Sequence, residues 1–226
     1  EYVKDILKEL QSEGLEVIYG DTDSVSFRSP HSSLEETISF GVKIAERYSL
    51  GAKQLEFEKI LQPFFSHGAK KRYVGKQVWP KESMLIRGYE TRRTDSFPSQ
   101  VEALEEVFSL LMKSEIDGAL QLSKDWVTKI SKGEVEKDTL VISKTVNLKR
   151  KYVNEDNQAH LQAYKKYIET GRPFVSGMKI SFVVTDARKS PMVVEPYIPE
   201  EECPEPDYNY YADRLAKSLS RITDVF

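Results

Sequence analysis

The stretch Tyr19-Gly20-Asp21-Thr22-Asp23-Ser24 constrains this chain more than any other. It stands between the apolar run Leu15-Glu16-Val17-Ile18 and the alternating run Val25-Ser26-Phe27. Two β-prone segments separated by a short polar turn predict a β-hairpin. Its tip carries two carboxylates at i and i+2, which share a face where the backbone is extended. Carboxylates held that close repel each other, and a cation relieves the repulsion. Hard oxygen ligands favour magnesium, which keeps several waters and bridges to substrate phosphates. The chemistry suggested is two-metal phosphoryl or nucleotidyl transfer. The spacing alone is equally compatible with an Asx-type turn whose carboxylates face solvent.

A length of 226 residues with 39% hydrophobic side chains supports one sizeable core or two small ones. Cys203 is the only cysteine, so no disulfide within the chain and no cysteine-based zinc site is expected. No apolar run is long enough to span a membrane and no signal peptide is visible, so no membrane partner is expected. The cytoplasm is the expected location. The three histidines, His31, His67 and His160, are scattered without ligand spacing and read as structural or surface groups.

A net charge of −3 contrasts with the local charge pattern. Lys59, Lys70, Lys71, Arg72, Lys76, Lys81, Arg87, Arg92 and Arg93 fall in one segment with few acids. Lys144, Lys149, Arg150 and Lys151 form a second cluster, while acids gather at Glu102–Glu106 and Glu195–Asp207. Local basic stripes, rather than the overall isoelectric point, set affinity for phosphates. Lys165-Lys166 on a helix reads instead as a solvated face.

Periodicity predicts an α+β chain. Val3, Leu7 and Leu10 mark a helix closed before Gly14, followed by the hairpin. Ser33 with Glu36 forms a capping-box pattern for a helix carrying Leu34, Ile38, Val42, Ala45 and Tyr48. Strands are expected around Leu55–Ile60 and Arg72–Val78, with Pro80 ending the second. From about Pro98 the pattern turns mostly helical. Val101, Leu104, Phe108 and Leu111 share a face; a second helix stops at Gly133 and a third at Gly171. A short strand is expected at Ile180, Phe182 and Val184. A Pro-rich acidic stretch, Pro196–Pro206, reads as a linker or wrapping segment before a final helix with Tyr208, Tyr211, Leu215, Leu219 and Ile222.

The hexapeptide Tyr19–Ser24 resembles the motif C hairpin of family B DNA polymerases, and further landmarks follow in order. Leu55-Glu56-Phe57-Glu58-Lys59 looks like the family's palm strand after motif C. Ala69-Lys70-Lys71-Arg72-Tyr73-Val74-Gly75 resembles the Lys-Lys-Arg-Tyr motif that grips primer–template. Ile86-Arg87-Gly88-Tyr89-Glu90 with Arg92-Arg93 is similar to the passage into the thumb, although Thr94 separates Arg93 from Asp95 and Arg87 replaces the commoner Lys. The resemblance implies a partial palm, an antiparallel sheet with helices over residues 1–96, followed by a mostly helical thumb over 97–226.

It also implies roles. Asp21 and Asp23 would be the catalytic, metal-binding carboxylates, with Asp23 the more direct ligand of magnesium in a two-metal site. Glu58 is either an auxiliary acidic group near the metals or a salt-bridged glutamate. Tyr19 and Thr22 would shape the hairpin and meet the primer end. Lys70, Lys71, Arg72, Tyr73, Arg87, Arg92, Arg93, Lys149 and Arg150 would contact primer–template DNA. The family's exonuclease, motif A aspartate and fingers lie upstream of motif C. The chain therefore reads as either an excised fragment of such a polymerase or, the preferred reading, the small subunit of a split family B polymerase of the kind it resembles in thermophilic methanogenic archaea. The partners expected are a large subunit carrying motif A, fingers and exonuclease, primer–template DNA and a deoxynucleoside triphosphate. Ile222, Val225 and Phe226 loosely resemble a sliding-clamp-binding peptide, but the glutamine that opens such peptides is replaced by Leu219. Two alternatives remain: a non-catalytic duplex-binding or assembly module, and a self-contained metal-dependent phosphotransferase, for which no Walker-type glycine loop is found.

Overall fold

The computed structural model describes residues 2–20, 23–49, 54–66, 72–89 and 95–223. The chain divides into two compact units, Glu1–Arg87 and Gly88–Phe226, each with its own elements. Both combine helices with antiparallel strands, so the fold class is α+β.

The first unit opens with helix α1 (Tyr2–Ser12), whose Ile6 and Leu10 are buried. Gly14 ends it in the left-handed region at φ 84°, and the Leu15 N–H returns to the Leu10 carbonyl at 3.1 Å. Glycine reaches that conformation without a Cβ penalty, which is why the chain can reverse there. Strands β1 (Val17–Gly20) and β2 (Val25–Phe27) then form an antiparallel hairpin, with Gly20 opposite Val25 and Tyr19 opposite Ser26. The expected hairpin is thus present, and residues 21–24 connect its strands.

Helix α2 (Leu34–Arg47) starts where the capping pattern places it: Ser33 Oγ accepts from the Glu36 N–H at 3.2 Å. Glu36 closes the box on the Ser33 hydroxyl, at 2.8 Å, rather than on its backbone N–H. The buried face agrees with the expected one at Ala45 and Tyr48 and differs from it nearer the helix start. Leu34 and Val42 are exposed, at 45% and 39%, while Gly41, Ile44, Ala45 and Tyr48 turn inward. The reason is Gly41: a Cβ there would lie 2.3 Å from the Phe57 ring, so the aromatic occupies the space a side chain would take. Phe57 in turn stacks on Trp79, with centroids 4.7 Å apart.

Residues 54–59 do not form the expected strand. Leu55 and Phe57 alternate inward as a strand would, but they seal α2 instead of pairing, and the Leu55 N–H bonds Ser49 Oγ at 2.9 Å. The strand begins later, as β3 (Ile60–Ser66), and continues through β4 (Tyr73–Trp79) to β5 (Ser83–Arg87), a strand not anticipated. Their order is β3-β4-β5, antiparallel throughout.

In the second unit, α3 (Pro98–Met112), α4 (Ile116–Ser131) and α6 (Tyr208–Thr223) carry the helical core. Phe97 meets Tyr211 edge-on at 5.0 Å, and Gln100 donates to Ser218 Oγ at 2.7 Å inside that core. Gly133 stops α4 at φ 71°, as expected from sequence. The sheet here is larger than the single strand expected around Ile180–Val184. Strand β7 (Lys179–Asp186) lies between β6 (Ile142–Thr145) and β8 (Val193–Pro196). Helix α5 (Ala159–Glu169) is tied to β8 by Lys166, which bonds the Val194 carbonyl and Glu195, so that lysine is not a purely solvated charge. The Tyr211 hydroxyl accepts from the Val184 N–H at 2.8 Å and joins α6 to the sheet. Residues 197–206 wrap their own unit: Tyr197 bonds Ser181, Arg172 pairs with Glu201, and Lys137 pairs with Glu205 at 2.5 Å.

Candidate catalytic and nucleic-acid-binding site

Sequence alternation folds residues 17–27 into the hairpin, and the hairpin brings Asp21 and Asp23 onto one four-residue connection. Asp21 and Thr22 lie outside the described residues. Asp23 is exposed just before β2, and among the described residues no cationic side chain pairs with it. Tyr19 lies in β1, opposite Ser26. Two hard carboxylates on one turn, with the described one free of a cationic partner, fit a magnesium ion that draws its remaining ligands from elsewhere. Among the described residues no three His, Cys, Asp or Glu side chains come together as a self-contained metal site. Glu58 is mostly exposed and pairs with Lys59 at 2.6 Å, which is the salt-bridged alternative for that residue.

Arg72 and Arg87 are brought to one end of a sheet by strand register rather than by sequence spacing. Tyr73 begins β4 and faces Arg87 at the end of β5, so residues far apart in the chain are neighbours at one end of the sheet. Arg72 stands immediately before β4, with its carbonyl accepting from Ser66 Oγ. The Tyr73 ring tilts against Phe64 at 5.5 Å, which fixes the strand end that presents Arg72. Among the described residues neither Arg72 nor Arg87 has a carboxylate partner, whereas Lys76 is paired with Glu82 and lowers that carboxyl's pKa. Among the described residues, Arg72 and Arg87 thus have no carboxylate that would compete with phosphate oxygens. Lys70, Lys71, Arg92 and Arg93 lie outside the described residues. Sequence reasoning placed Arg87 on a basic stripe but missed β5, the element that sets it beside Tyr73. The signal available was the run Ser83–Arg87 following the Pro80-Lys81-Glu82 turn.

Lys149 and Arg150 sit exposed on the connection after β6. Asn147 shapes that turn: its Oδ1 accepts from the Lys149 N–H at 3.0 Å and its carbonyl from the Arg150 N–H at 3.1 Å. The Arg150 guanidinium lies over the Tyr152 ring at 5.5 Å, and Tyr152 meets His160 edge-on. His160 is buried, and its pKa is lowered to about 4 by burial first and then by the charges of Lys144 and Arg150. It is a structural histidine, as the sequence suggested. Asp95 pairs with Arg214 of α6 at 3.3 Å and so serves the packing of the second unit. At the C-terminus Leu215, Leu219 and Ile222 are buried in α6, and Val225 and Phe226 lie outside the described residues. No described helix is long and apolar enough to cross a membrane.

Comparison with known proteins gives one consistent result. The model of a family described as DNA polymerase family B matches residues 3–226. The DNA polymerase delta catalytic subunit of Plasmodium falciparum is 29% identical over 222 residues, covering 92% of this chain and 20% of its own length. DNA polymerase 2 of Aeropyrum pernix is 30% identical over 217 residues, covering 94% of this chain and 26% of its own length. Among solved structures, the family B DNA polymerase from the hyperthermophilic archaeon Pyrobaculum calidifontis superposes with a TM-score of 0.68 over 99% of this chain and 28% of that one. At 22% identity that likeness speaks for the fold. The chain spans about a fifth to a quarter of the length of these two relatives.

Proposed function

The chain belongs to DNA polymerase family B, and from that premise we propose that it supplies part of the catalytic and duplex-holding machinery of a DNA-directed DNA polymerase. Residues 1–96 are the C-terminal part of the palm and residues 97–226 the thumb. The observation that carries this reading is the hairpin. Its two short antiparallel strands are joined by a connection that contains Asp21 and Asp23, inside a chain that matches the family along its length.

Asp21 and Asp23 would hold magnesium together with a motif A aspartate from further sequence. Bound there, the metal would lower the pKa of the primer 3′-hydroxyl and stabilise the charge that develops as pyrophosphate leaves. The chain's own side chains do the positioning. Tyr19 and Thr22 shape the hairpin beside the primer end. Lys70, Lys71, Arg72 and Tyr73, with Arg87, Arg92 and Arg93, hold the duplex from its minor-groove side, where acceptors are similar for every base pair. Lys149 and Arg150 add phosphate contacts from the thumb. None of these contacts reads sequence, which suits an enzyme that must copy any template.

Motif A, the fingers and the exonuclease come from further sequence, a large subunit in this proposal. The chain covers a fifth to a quarter of the relatives' length, which supports the need for further sequence. The test is reconstitution. The 226-residue chain alone should not extend a primer, and adding the large subunit should restore extension. Asp23→Ala in that complex should then reduce the rate by at least about a thousandfold, because metal stabilisation of the transition state is worth several kcal/mol. Extension by the purified chain alone would remove the dependence on a companion. An Asp23→Ala complex of normal rate would leave the chain a non-catalytic duplex-binding module.

A further inference from the structure

A two-stranded ribbon has little rigidity of its own, yet the turn between β1 and β2 has to hold Asp21 and Asp23 in one geometry. What stands behind it is α1. Ile6 and Leu10 of α1 share a small core with Ile44 and Tyr48 of α2. Near one end of α1 the Tyr2 hydroxyl donates to the Tyr48 carbonyl. Near the other, Arg47 of α2 bonds Glu13 at 2.9 Å and reaches Glu9 at 3.4 Å. The helix is thus fixed to α2 along its length.

Leu7 follows Ile6 by one position, so it projects to the side of that core rather than into it. There it meets the last residue of β1. A Cβ added to Gly20 would lie 3.0 Å from Leu7 Cδ1, 3.5 Å from Cδ2 and 3.8 Å from Cγ. Gly20 does not have the positive φ of Gly14, Gly88 or Gly133. Its backbone conformation therefore does not call for glycine, but a side chain there would press on the end of Leu7.

We propose that Leu7 is a positioning residue for the carboxylate turn: its side chain seats the strand end immediately before Asp21, and that contact is what requires glycine at position 20. The inference rests on the metal-binding role given above to Asp21 and Asp23. A methyl group at position 20 pushes the strand end away from the helix. Removing the isobutyl group of Leu7 leaves the strand end unsupported. Both changes move the strand end that precedes the carboxylates, in opposite directions.

The test measures Mn²⁺ binding by electron paramagnetic resonance, on the complex of the chain with its large subunit and a dideoxy-terminated primer–template. Leu7→Ala and Gly20→Ala should each weaken Mn²⁺ binding about tenfold, the lower end of the effect of removing groups that orient metal ligands. The double variant should return to within about threefold of the parent, because the alanine methyl at position 20 occupies the space that Leu7 vacates. Independent effects would multiply instead, to about a hundredfold. Duplex affinity measured without metal should stay at the parent value in all three, which general loosening of the unit would not allow. A multiplicative double variant, or single variants with parental Mn²⁺ affinity, would overturn the role of Leu7. Asp23→Ala separates the two levels of the argument. If it abolishes Mn²⁺ binding while the Leu7 and Gly20 variants do nothing, only the positioning role is lost. If it leaves Mn²⁺ binding intact, the metal assignment fails and the positioning role with it.

Discussion

In the unit Glu1–Arg87 the buried apolar side chains among the described residues are Ile6, Leu10, Ile44, Ala45, Tyr48, Val74 and Ile86. The unit Gly88–Phe226 closes over a far larger set, with Phe97, Leu104, Phe108, Ile130, Tyr211 and Leu215 all fully excluded from solvent. Among the described residues the first unit has a two-stranded hairpin, a three-stranded sheet and two α-helices, and the second has four α-helices and a three-stranded sheet. The proposed chemistry, however, lies mainly in the thinly packed unit. Regions with few buried apolar groups open at low free-energy cost. The difference teaches that the second unit is stable in itself, while the hairpin that carries the proposed carboxylates depends on what packs around it: α1 within the chain and, in the proposed complex, a companion outside it.

The largest effect should come from separating the two. Residues 88–226 alone should unfold in one sharp denaturant transition, with a stability within the roughly 5–15 kcal/mol of natural domains. Residues 1–87 alone should give a broad, weakly cooperative change in circular dichroism. A sharp transition for the shorter piece would break the comparison. Within the stable unit, Leu215→Ala should cost about 3–4 kcal/mol in chemical denaturation, because a fully buried leucine leaves a cavity that its neighbours cannot fill. Ile86→Ala, near the surface of the thin unit, should fall at the lower edge of that series, about 2 kcal/mol. Equal losses would mean that the two interiors are packed alike.

How much of this was legible in the sequence differs between the same two regions. The helices were readable throughout, because Gly14, Gly133 and Gly171 stop runs of apolar residues at helical spacing and each glycine adopts positive φ. Of the strands, the hairpin pair, β4 and β7 could be read, but β5, β6 and β8 could not. Ile142–Thr145 holds one strongly apolar residue and Val193–Pro196 ends in proline, so neither shows a period of two; both are strands because β7 lies between them. Residues 54–59 do alternate, yet they stay unpaired because Phe57 is taken by Gly41 and Trp79. For the site, the contiguous hexapeptide could be read directly. The neighbourhood of Tyr73 and Arg87, and that of Leu7 and Gly20, are set by register and helix packing, which no local window contains.

His160 sharpens the comparison by pH. Its pKa in the folded chain is lowered from 6.5 to about 4, so the unfolded chain binds a proton that the folded one refuses. Stability from this group is complete above pH 6.5 and is lost as the pH falls toward 4. At about 1.36 kcal/mol per unit, the second unit should lose up to about 3 kcal/mol over that window. His160→Gln should flatten that part of the profile in urea titrations at pH 7 and pH 4.5. An unchanged slope in the variant would mean that other groups drive the loss.

The basic end of the β3-β4-β5 sheet tests the functional half of the thin unit. Arg72→Ala with Arg87→Ala should weaken duplex binding for all sequences alike. The slope of log affinity against log salt should fall by up to about two units, since each neutralised phosphate contributes roughly 0.9. Selective loss on some sequences would point to base reading instead.

The smallest effect concerns the start of α2, which braces α1 and through it the hairpin. Ser33 Oγ accepts from the Glu36 N–H and donates to the Glu36 carboxylate, so one hydroxyl satisfies a helix-end donor and orients an acid in the first turn. Acids there also interact favourably with the helix dipole. Ser33→Ala removes both hydrogen bonds and should cost about 1 kcal/mol. Ser33→Asp keeps an acceptor for the N–H but sets two carboxylates against each other at Ser33 and Glu36, so it should recover only part of that loss. Because the first unit has so little interior, the whole cost should appear as faster amide hydrogen exchange in α1 and α2, with the second unit unchanged. Equal acceleration in α3 and α6 would show that the two units unfold as one, and the contrast between them would then be one of packing alone.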